Sequence, residues 1–254
     1  MTSKRFKFFT THNKRKIRYR ILNYEKDLFV IFFHGFMSDI EGKKPSSFYK
    51  FWKNKGIGFL AFEYSGHGKS SGDFIRGNIS RWTDDAKNII KSKTKKNTKL
   101  IFIGSSMGSW IALNLLPIFK RQIKAFIGIS SAPEFLEKLM WNKFTREIKQ
   151  TLNEKKIYHL KHGNYTYPLT KQLFLDGKKN KVLKMKLKIK IPITMFHGAK
   201  DEVVPTSFSK KVLNIFPKAK KKLVIIKFLF LILLFIIFFE SFVHLDIFPF
   251  VNFP

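Results

Sequence analysis

Residues 104–108 (GSSMG) hold a serine, Ser106, with a glycine two positions away on either side. The apolar run of residues 99–104 precedes it and a helical pattern starts at residue 107, so the serine lies at a predicted strand-to-helix turn. A turn this tight leaves no room for side chains at the flanking positions, and it raises the serine hydroxyl above the end of the sheet. The pattern therefore predicts that Ser106 is a nucleophile that attacks an acyl carbonyl.

A second stretch, HGF at residues 34–36, follows the apolar run of residues 28–33. A backbone N–H in such a loop, together with the first N–H of the helix after Ser106, can bind the oxygen on which negative charge develops. We predict that these two donors are the N–H groups of Phe36 and Met107. His34 itself is interpreted as a histidine that braces the loop.

A carboxylate follows another late apolar strand, in the stretch HGAKDEVVP at residues 197–205. We predict that Asp201 orients a catalytic histidine by fixing its tautomer, with Glu202 as the alternative. His197 precedes the acid and is interpreted as a bracing residue. The glycine-rich loop at residues 62–73 lacks both common phosphate-binding fingerprints, so it is interpreted as a shaped loop near the same edge of the sheet. His67 is interpreted as a histidine of this loop rather than a proton carrier.

The histidine that should act as the base is harder to find. His244 is the one histidine after Asp201, and it follows residues 228–239, an uninterrupted apolar run of about 18 Å as a helix. Three interpretations stay open: the chain returns so that His244 serves as the base, a change of reading frame near Lys227 replaced the native end, or the run is an anchor or partner-binding helix. A spanning helix needs about 20 residues, so the third interpretation predicts only weak membrane association through residues 228–239.

These groups require a sheet whose strands end at one edge. The predicted strands are residues 5–10, 16–24, 28–33, 57–62, 99–104, 123–130, 191–197 and 222–227. The predicted helices are residues 45–54, 81–93, 107–119 and 207–216. The first two strands form an antiparallel hairpin, and the later alternation of strands and helices predicts an α/β fold with a mostly parallel central sheet and helices on both faces.

The organisation along the chain follows from the same pattern. Residues 133–188 contain helical patterns but no convincing core strand, so we predict an inserted small helical cap over the sheet edge. Residues 1–227 are expected to form one domain that includes this cap. Residues 228–254 are expected to form a separate, aberrant apolar tail.

Composition limits the classes of function. The chain has no cysteine, which excludes disulfides and thiolate metal sites, and we expect no metal and no cofactor. The net charge is +32, but the basic residues are spread along the whole chain, so we expect no specific nucleic-acid partner; polyanion binding stays as an alternative. The first residues do not form a secretory signal, and a cytoplasmic location is expected.

Four phrases in this order resemble the α/β-hydrolase superfamily: HGF at 34–36, YSGHGKSSG at 64–72, GSSMGSW at 104–110 and HGAKDEVVP at 197–205. Within it, they resemble the group that contains the mitochondrial palmitoyl-protein thioesterases and alphaproteobacterial relatives, over roughly residues 5–227. The resemblance implies an eight-stranded core sheet and a Ser-Asp-His triad. It also implies an acyl-enzyme intermediate, a small-molecule or lipid-acyl ester or thioester substrate, and no cofactor.

In this resemblance Ser106 matches the nucleophile, Asp201 the acid, and Phe36 and Met107 the oxyanion positions. The histidine of these enzymes closely follows the last strand, and no histidine does so after Lys227. Two functions therefore stay open: a serine hydrolase for esters or thioesters, or a catalytically impaired hydrolase fold that acts as a membrane-associated or binding module.

Overall fold

The computed structural model describes residues 6–163 and 165–227. The predicted tail at 228–254, and with it the apolar run at 228–239 and His244, lies outside the described residues.

One eight-stranded sheet forms the centre of the described chain, in the order β1-β2-β4-β3-β5-β6-β9-β10. Its strands are β1 (Lys7–Thr10), β2 (Lys16–Leu22), β3 (Leu28–Phe33), β4 (Gly58–Phe62), β5 (Lys99–Ser105), β6 (Ile123–Ile129), β9 (Ile193–Gly198) and β10 (Lys221–Ile226). β1 and β2 pair antiparallel, β2 pairs antiparallel with β4, and all other neighbours are parallel. The predicted α/β fold with an N-terminal antiparallel hairpin is confirmed.

Helices pack on both faces of this sheet. They are α1 (Lys43–Asn54), α2 (Ile79–Lys93), α3 (Met107–Leu115), α4 (Arg146–Glu154), α5 (Lys171–Lys179) and α6 (Ser207–Leu213), with short 3₁₀ turns at Phe74–Arg76 and Trp141–Lys143 and a π-helical turn at Leu136–Met140. α1 buries Phe48, Phe51 and Trp52 against one face. α2, α3, α6 and the segment between β6 and β9 cover the other. Strands covered on both faces explain the continuous apolar runs in the sequence.

α3 ends earlier than the sequence analysis predicts. The prediction extends to residue 119, whereas the helix ends at Leu115. Pro117 explains the difference, because proline has no N–H to donate and it disfavours helical geometry in the residue before it.

The segment between β6 and β9, called the insertion below, is not wholly helical. Besides α4 and α5 it contains an antiparallel hairpin of β7 (Ile157–His162) and β8 (Tyr165–Thr170), which the sequence analysis does not predict. Tyr158 and Leu160 contact the core while His159 and Lys161 are exposed. This is the period-two alternation of a strand with one buried face, set in a basic stretch that hides it.

The carboxyl ends of β3 and β5 are the place where a ligand site is expected. The chain moves from β3 to β4 on one side, whereas β5 lies on the other side of β3. Loops after β3 and β5 therefore diverge and leave a crevice at the sheet edge, and open α/β sheets bind ligands at such a point.

Candidate active site

Ser106 lies between β5 and α3 in a backbone conformation that L-residues rarely adopt, with φ 52° and ψ −119°. Its N–H donates to the carbonyl of Ile129 at 2.9 Å, which ties the turn to strand β6. Strain of this kind is held only where the surroundings fix it, and it is the geometry of a nucleophile elbow.

The two glycines beside Ser106 have no space for a side chain. A Cβ at Gly108 would lie 2.2 Å from the carbonyl oxygen of Phe33 and 2.6 Å from that of His34. A Cβ at Gly104 would lie 2.5 Å from the Cα of Ser109. All these obstacles are backbone atoms, so the elbow requires both glycines.

The loop after β3 lies directly against Ser106. A Cβ at Gly35 would be 3.5 Å from the Cβ of Ser106, so the backbone before Phe36 passes beside the serine. The Phe36 ring is held edge-on by Phe74 and Phe135, with ring centres 5.1 and 5.4 Å away. Met107 is the first residue of α3, where backbone N–H groups have no helical partner. The predicted oxyanion residues thus lie on the two segments that flank Ser106.

Ser106 opens into a cavity of about 420 Å³, a volume typical of small-molecule sites. Part of the lining comes from the insertion and from the loop after β3 and is apolar. Its side chains are Phe36, Phe135, Leu139, Met140, Leu160 and Tyr167. Other lining residues come from the start of α1 and the loop after β9: Lys44, Pro45, Val203 and Val204.

Asp201 lies in the loop between β9 and α6. Its Oδ1 accepts from the N–H groups of Val203 and Val204, at 3.2 and 2.9 Å, and its Oδ2 is 3.6 Å from Nε2 of His197. Its side chain is 19% exposed. The turn thus fixes the carboxylate beside the two valines that line the cavity.

Both ring nitrogens of His197 have other partners. Nδ1 is 2.8 Å from the hydroxyl of Ser209, and Nε2 donates to the carbonyl of Val204 at 2.7 Å. The ring is completely buried. His197 therefore ties β9 to α6 and to the Asp201 loop, and it has no free nitrogen to take a proton from Ser106.

His34 and His67 are also buried, and their rings lie 5.2 Å apart. Nδ1 of His34 donates to the carbonyl of Gly35 at 2.8 Å, and the ring packs on Tyr64 with centres 4.3 Å apart. Burial lowers the pKa of His34 to about 4, and burial together with the nearby His34 lowers the pKa of His67. Both imidazoles are therefore neutral at pH 7.

The glycine-rich loop after β4 folds around a carboxylate of its own. Oε2 of Glu63 accepts from the N–H groups of Lys69 and Ser70 at 2.7 and 3.1 Å, and Oε1 accepts from Arg18 at 3.2 Å. A Cβ at Gly68 would lie 2.4 Å from the carboxyl carbon of Glu63. These amides hold Glu63 rather than a phosphate.

Lys44 is a cavity residue that the sequence analysis does not identify. It is the second residue of α1, and its Nζ donates to the hydroxyl of Ser105 at 3.3 Å, beside Ser106. Burial lowers the pKa of Lys44, and the negative charge of Asp201 opposes that shift. The only signal in the sequence is a helix that starts with two lysines and no acid.

The described residues contain neither a metal-binding cluster nor a membrane-spanning helix. No group of three or more histidine and carboxylate side chains in this part of the chain could hold a metal ion. Within residues 6–163 and 165–227, no helix combines the length and apolar character that a membrane crossing requires.

Comparisons with known proteins agree with this geometry. The family model described as "Serine aminopeptidase, S33" matches residues 24–166. The rat protein named palmitoyl-protein thioesterase ABHD10, mitochondrial, is 28% identical over 188 residues, which cover 72% of this chain and 62% of that protein. The chain thus spans less than two thirds of the length of this relative.

Solved structures share the fold. A putative hydrolase from Agrobacterium vitis is 27% identical, with a TM-score of 0.82 over 88% of this chain and 90% of that one. Mouse alpha/beta hydrolase domain-containing protein 10 is 22% identical, with a TM-score of 0.83 over 94% and 98% of the two chains. The match to more than half of the sequence, together with these structures, leads to one conclusion: the chain belongs to the serine aminopeptidase family and is an α/β-hydrolase.

Proposed function

We propose that this protein is a serine hydrolase that cleaves carboxylic esters or acyl thioesters through an acyl-enzyme. The observation that carries the proposal is the strained Ser106 between β5 and α3, in the wall of the cavity. In the first step the Oγ of Ser106 bonds to the acyl carbon while a base takes the hydroxyl proton. The tetrahedral intermediate then expels the alcohol or thiol, which takes that proton. Water hydrolyses the acyl-enzyme by the same steps in reverse.

The N–H groups of Phe36 and Met107 stabilise the negative oxygen of the tetrahedral intermediate in this mechanism. Their segments flank Ser106, and the packing of the Phe36 ring keeps its loop in place. Donors fixed before the reaction need no reorganisation when charge develops, which is why such sites accelerate acyl transfer strongly.

The base in this proposal is His244, oriented by Asp201. His244 lies outside the described residues, so its assignment depends on its position after Asp201 in the sequence. His197 has both nitrogens engaged, and His34 carries its proton on the nitrogen bound to Gly35 and packs against Tyr64. Ester hydrolysis by His244→Ala at the wild-type rate would exclude His244 as the base.

An apolar acyl chain is the substrate part that fits the insertion side of the cavity. Phe135, Leu139, Met140 and Leu160 lie there, and burial of each methylene against such a wall contributes about 0.8 kcal/mol. The curated relatives are named palmitoyl-protein thioesterases, which supports a lipid-acyl thioester as one substrate class.

A fluorophosphonate probe tests the proposal directly, because it reacts only with an activated serine. We expect wild type to be labelled and Ser106→Ala not. Asp201→Asn should lose a thousandfold or more of the hydrolysis rate, on the order of a triad disruption. Ser109→Ala serves as the control, since that buried hydroxyl donates to the carbonyl of Gly104 inside the turn. Equal labelling of wild type and Ser106→Ala would refute the nucleophile.

The location and partners of this enzyme follow as part of the proposal. We place it in the cytoplasm, since the chain has no cysteine, with weak membrane association through residues 228–239 as the alternative to a chain that returns His244 to the site. The names of the curated relatives include "mitochondrial", so fractionation of cells that express a tagged chain is the decisive measurement. We propose no specific nucleic-acid partner, and salt-dependent DNA binding would contradict this.

A further inference from the structure

The cavity beside Ser106 has two chemically different walls. The insertion side is apolar, whereas the α1 side contains Lys44. Among the described residues that line the cavity, Lys44 is the one cation, since His34 is neutral at pH 7, and none of them is a carboxylate. The described lining of the cavity therefore carries one positive charge and no negative one.

The ammonium group of Lys44 has few polar partners among the described residues. Its single hydrogen-bond partner among the described residues is the hydroxyl of Ser105 at 3.3 Å, and no described carboxylate lies within 4 Å of its Nζ. Lys44 is half-buried, and this burial lowers the pKa of its ammonium group. The negative charge of Asp201 partly opposes that lowering of the pKa. A partly desolvated cation with unused N–H donors attracts an anion more strongly than an exposed lysine does.

The position of Lys44 at the start of α1 is also electrostatically unfavourable. α1 has no acid in its first turn and no side-chain cap at Gly42, and two lysines begin it. Cations are unfavourable at a helix N-terminus because its free N–H groups already carry partial positive charge. Violations of a local rule are expected at functional sites.

We propose that Lys44 binds a carboxylate on the leaving group of the substrate, while the acyl chain lies against the insertion. This inference depends on the proposed esterase function and specifies its substrates. The two halves of an ester extend in opposite directions from the scissile carbon, and the cavity beside Ser106 offers them two kinds of surface, the apolar insertion residues and Lys44. The apolar acyl half suits the insertion residues, and we assign the anionic leaving half to Lys44, whose Nζ contacts the residue next to the nucleophile.

Two matched esters measure this preference: the hexanoyl ester of 4-hydroxybenzoate, whose leaving group is anionic, and the hexanoyl ester of methyl 4-hydroxybenzoate, whose leaving group is neutral. The ratio of their kcat/KM values is measured in each variant, and comparing this ratio between variants cancels the intrinsic reactivity of the two esters. Lys44→Met should lower the anionic-to-neutral ratio about ten- to hundredfold, mainly through KM, because a charge-assisted hydrogen bond is lost. Lys44→Arg should keep most of the preference.

Lys43→Met is the matched control. It removes the same charge from the preceding residue, which is exposed and does not line the cavity. The ratio should change less than twofold. An equal fall in Lys43→Met and Lys44→Met would overturn the inference, since a general surface field would then explain the preference. Thermal melting of each variant identifies any variant that has lost its fold. If Lys44→Met does not fold, the ratio measured for Lys44→Arg provides the test.

A third substrate tests the orientation. The 4-nitrophenyl monoester of adipic acid carries its carboxylate at the end of the acyl chain, and 4-nitrophenyl hexanoate is its neutral partner. A Lys44-dependent preference for the adipate over the hexanoate, with none for the 4-hydroxybenzoate ester, would contradict a leaving-group site.

Binding without turnover separates this inference from the proposed function. In the Ser106→Ala background, calorimetry with 4-(hexyloxy)benzoate and its methyl ester should show that Lys44→Met weakens only the carboxylate, about tenfold or more. Such binding in a protein that hydrolyses no ester would refute the function and keep the anion site. Hydrolysis of both esters without preference would keep the function and refute the anion site.

Discussion

Replacement of His34 by phenylalanine should flatten the pH dependence of the free energy of unfolding between pH 7.5 and pH 5. Phenylalanine keeps a flat ring against Tyr64 and His67, but it cannot titrate. In wild type, burial lowers the pKa of His34 to about 4, against an ordinary value of 6.5. Below pH 6.5 the imidazole of His34 is therefore mostly protonated in the unfolded chain but stays neutral in the folded chain until the pH approaches 4.

The sign and size of the effect follow from this difference. A folded-state pKa below the unfolded one gives stability that is complete above pH 6.5 and is lost as the pH falls towards 4. The full difference corresponds to about 3 kcal/mol, of which about 2 kcal/mol is already lost at pH 5. Wild type should therefore lose about 2 kcal/mol more than His34→Phe between pH 7.5 and pH 5.

Urea unfolding followed by tryptophan fluorescence at several pH values measures this quantity. The slope against pH is the relevant result, because the substitution also removes the Nδ1 hydrogen bond to Gly35 and shifts the whole curve. Carboxylates titrate alike in both proteins and cancel in the difference, whereas the pKa of His67, which His34 helps to lower, is lowered less in the variant and flattens its curve further. His12→Asn, which removes an exposed histidine, is the matched control. If His34→Phe loses as much stability as wild type across this range, His34 is not held neutral by burial.

Three substitutions test the remaining architecture. Gly108→Ala should cost about 1–3 kcal/mol and abolish probe labelling, because its Cβ would meet the carbonyl of Phe33; Gly56→Ala, where nothing lies within 4 Å, should keep labelling. Asp85→Asn should cost about 3–5 kcal/mol in urea unfolding, since the buried carboxylate accepts from Arg15 at 2.6 Å, and a smaller loss would argue against a buried ion pair. Phe135→Ala should cost about 3 kcal/mol and shift ester preference to longer acyl chains; an unchanged chain-length profile would remove Phe135 from the acyl wall.

The core sheet could be predicted because its signal is local. β3, β5 and β6 are buried on both faces, so they read as continuous apolar runs bounded by turns. The sequence analysis does not predict the β7–β8 hairpin because the hairpin belongs to the insertion, where one face is basic and solvated. Its alternation is present, but the same stretch resembles a polar linker when burial is unknown.

The turn at Ser106 and the loop that holds Asp201 could also be predicted, because each is a short sequence motif with its own geometry. Gly104 and Gly108 are required by backbone atoms within a few residues of Ser106 or on the adjacent β3, and Asp201 is fixed by the amides of Val203 and Val204. Such constraints leave a pattern in contiguous residues. That the Ser106 turn and the Asp201 loop lie near each other could be inferred only from the rule that parallel strands end at the same edge of a sheet.

Lys44 shows what kind of site residue a motif search misses. It reaches Ser105 only because β3 and β5 are neighbours in the sheet and α1 begins soon after β3. Nothing in the stretch EGKKPSS indicates this contact, and helix preference alone would favour acids there. That disagreement is informative, because a cation at the start of the helix that follows the β3 loop is locally unfavourable and its compensation must come from other parts of the site. The charge of Asp201 supplies part of it, and in our proposal a substrate carboxylate in the cavity beside Ser106 supplies the rest.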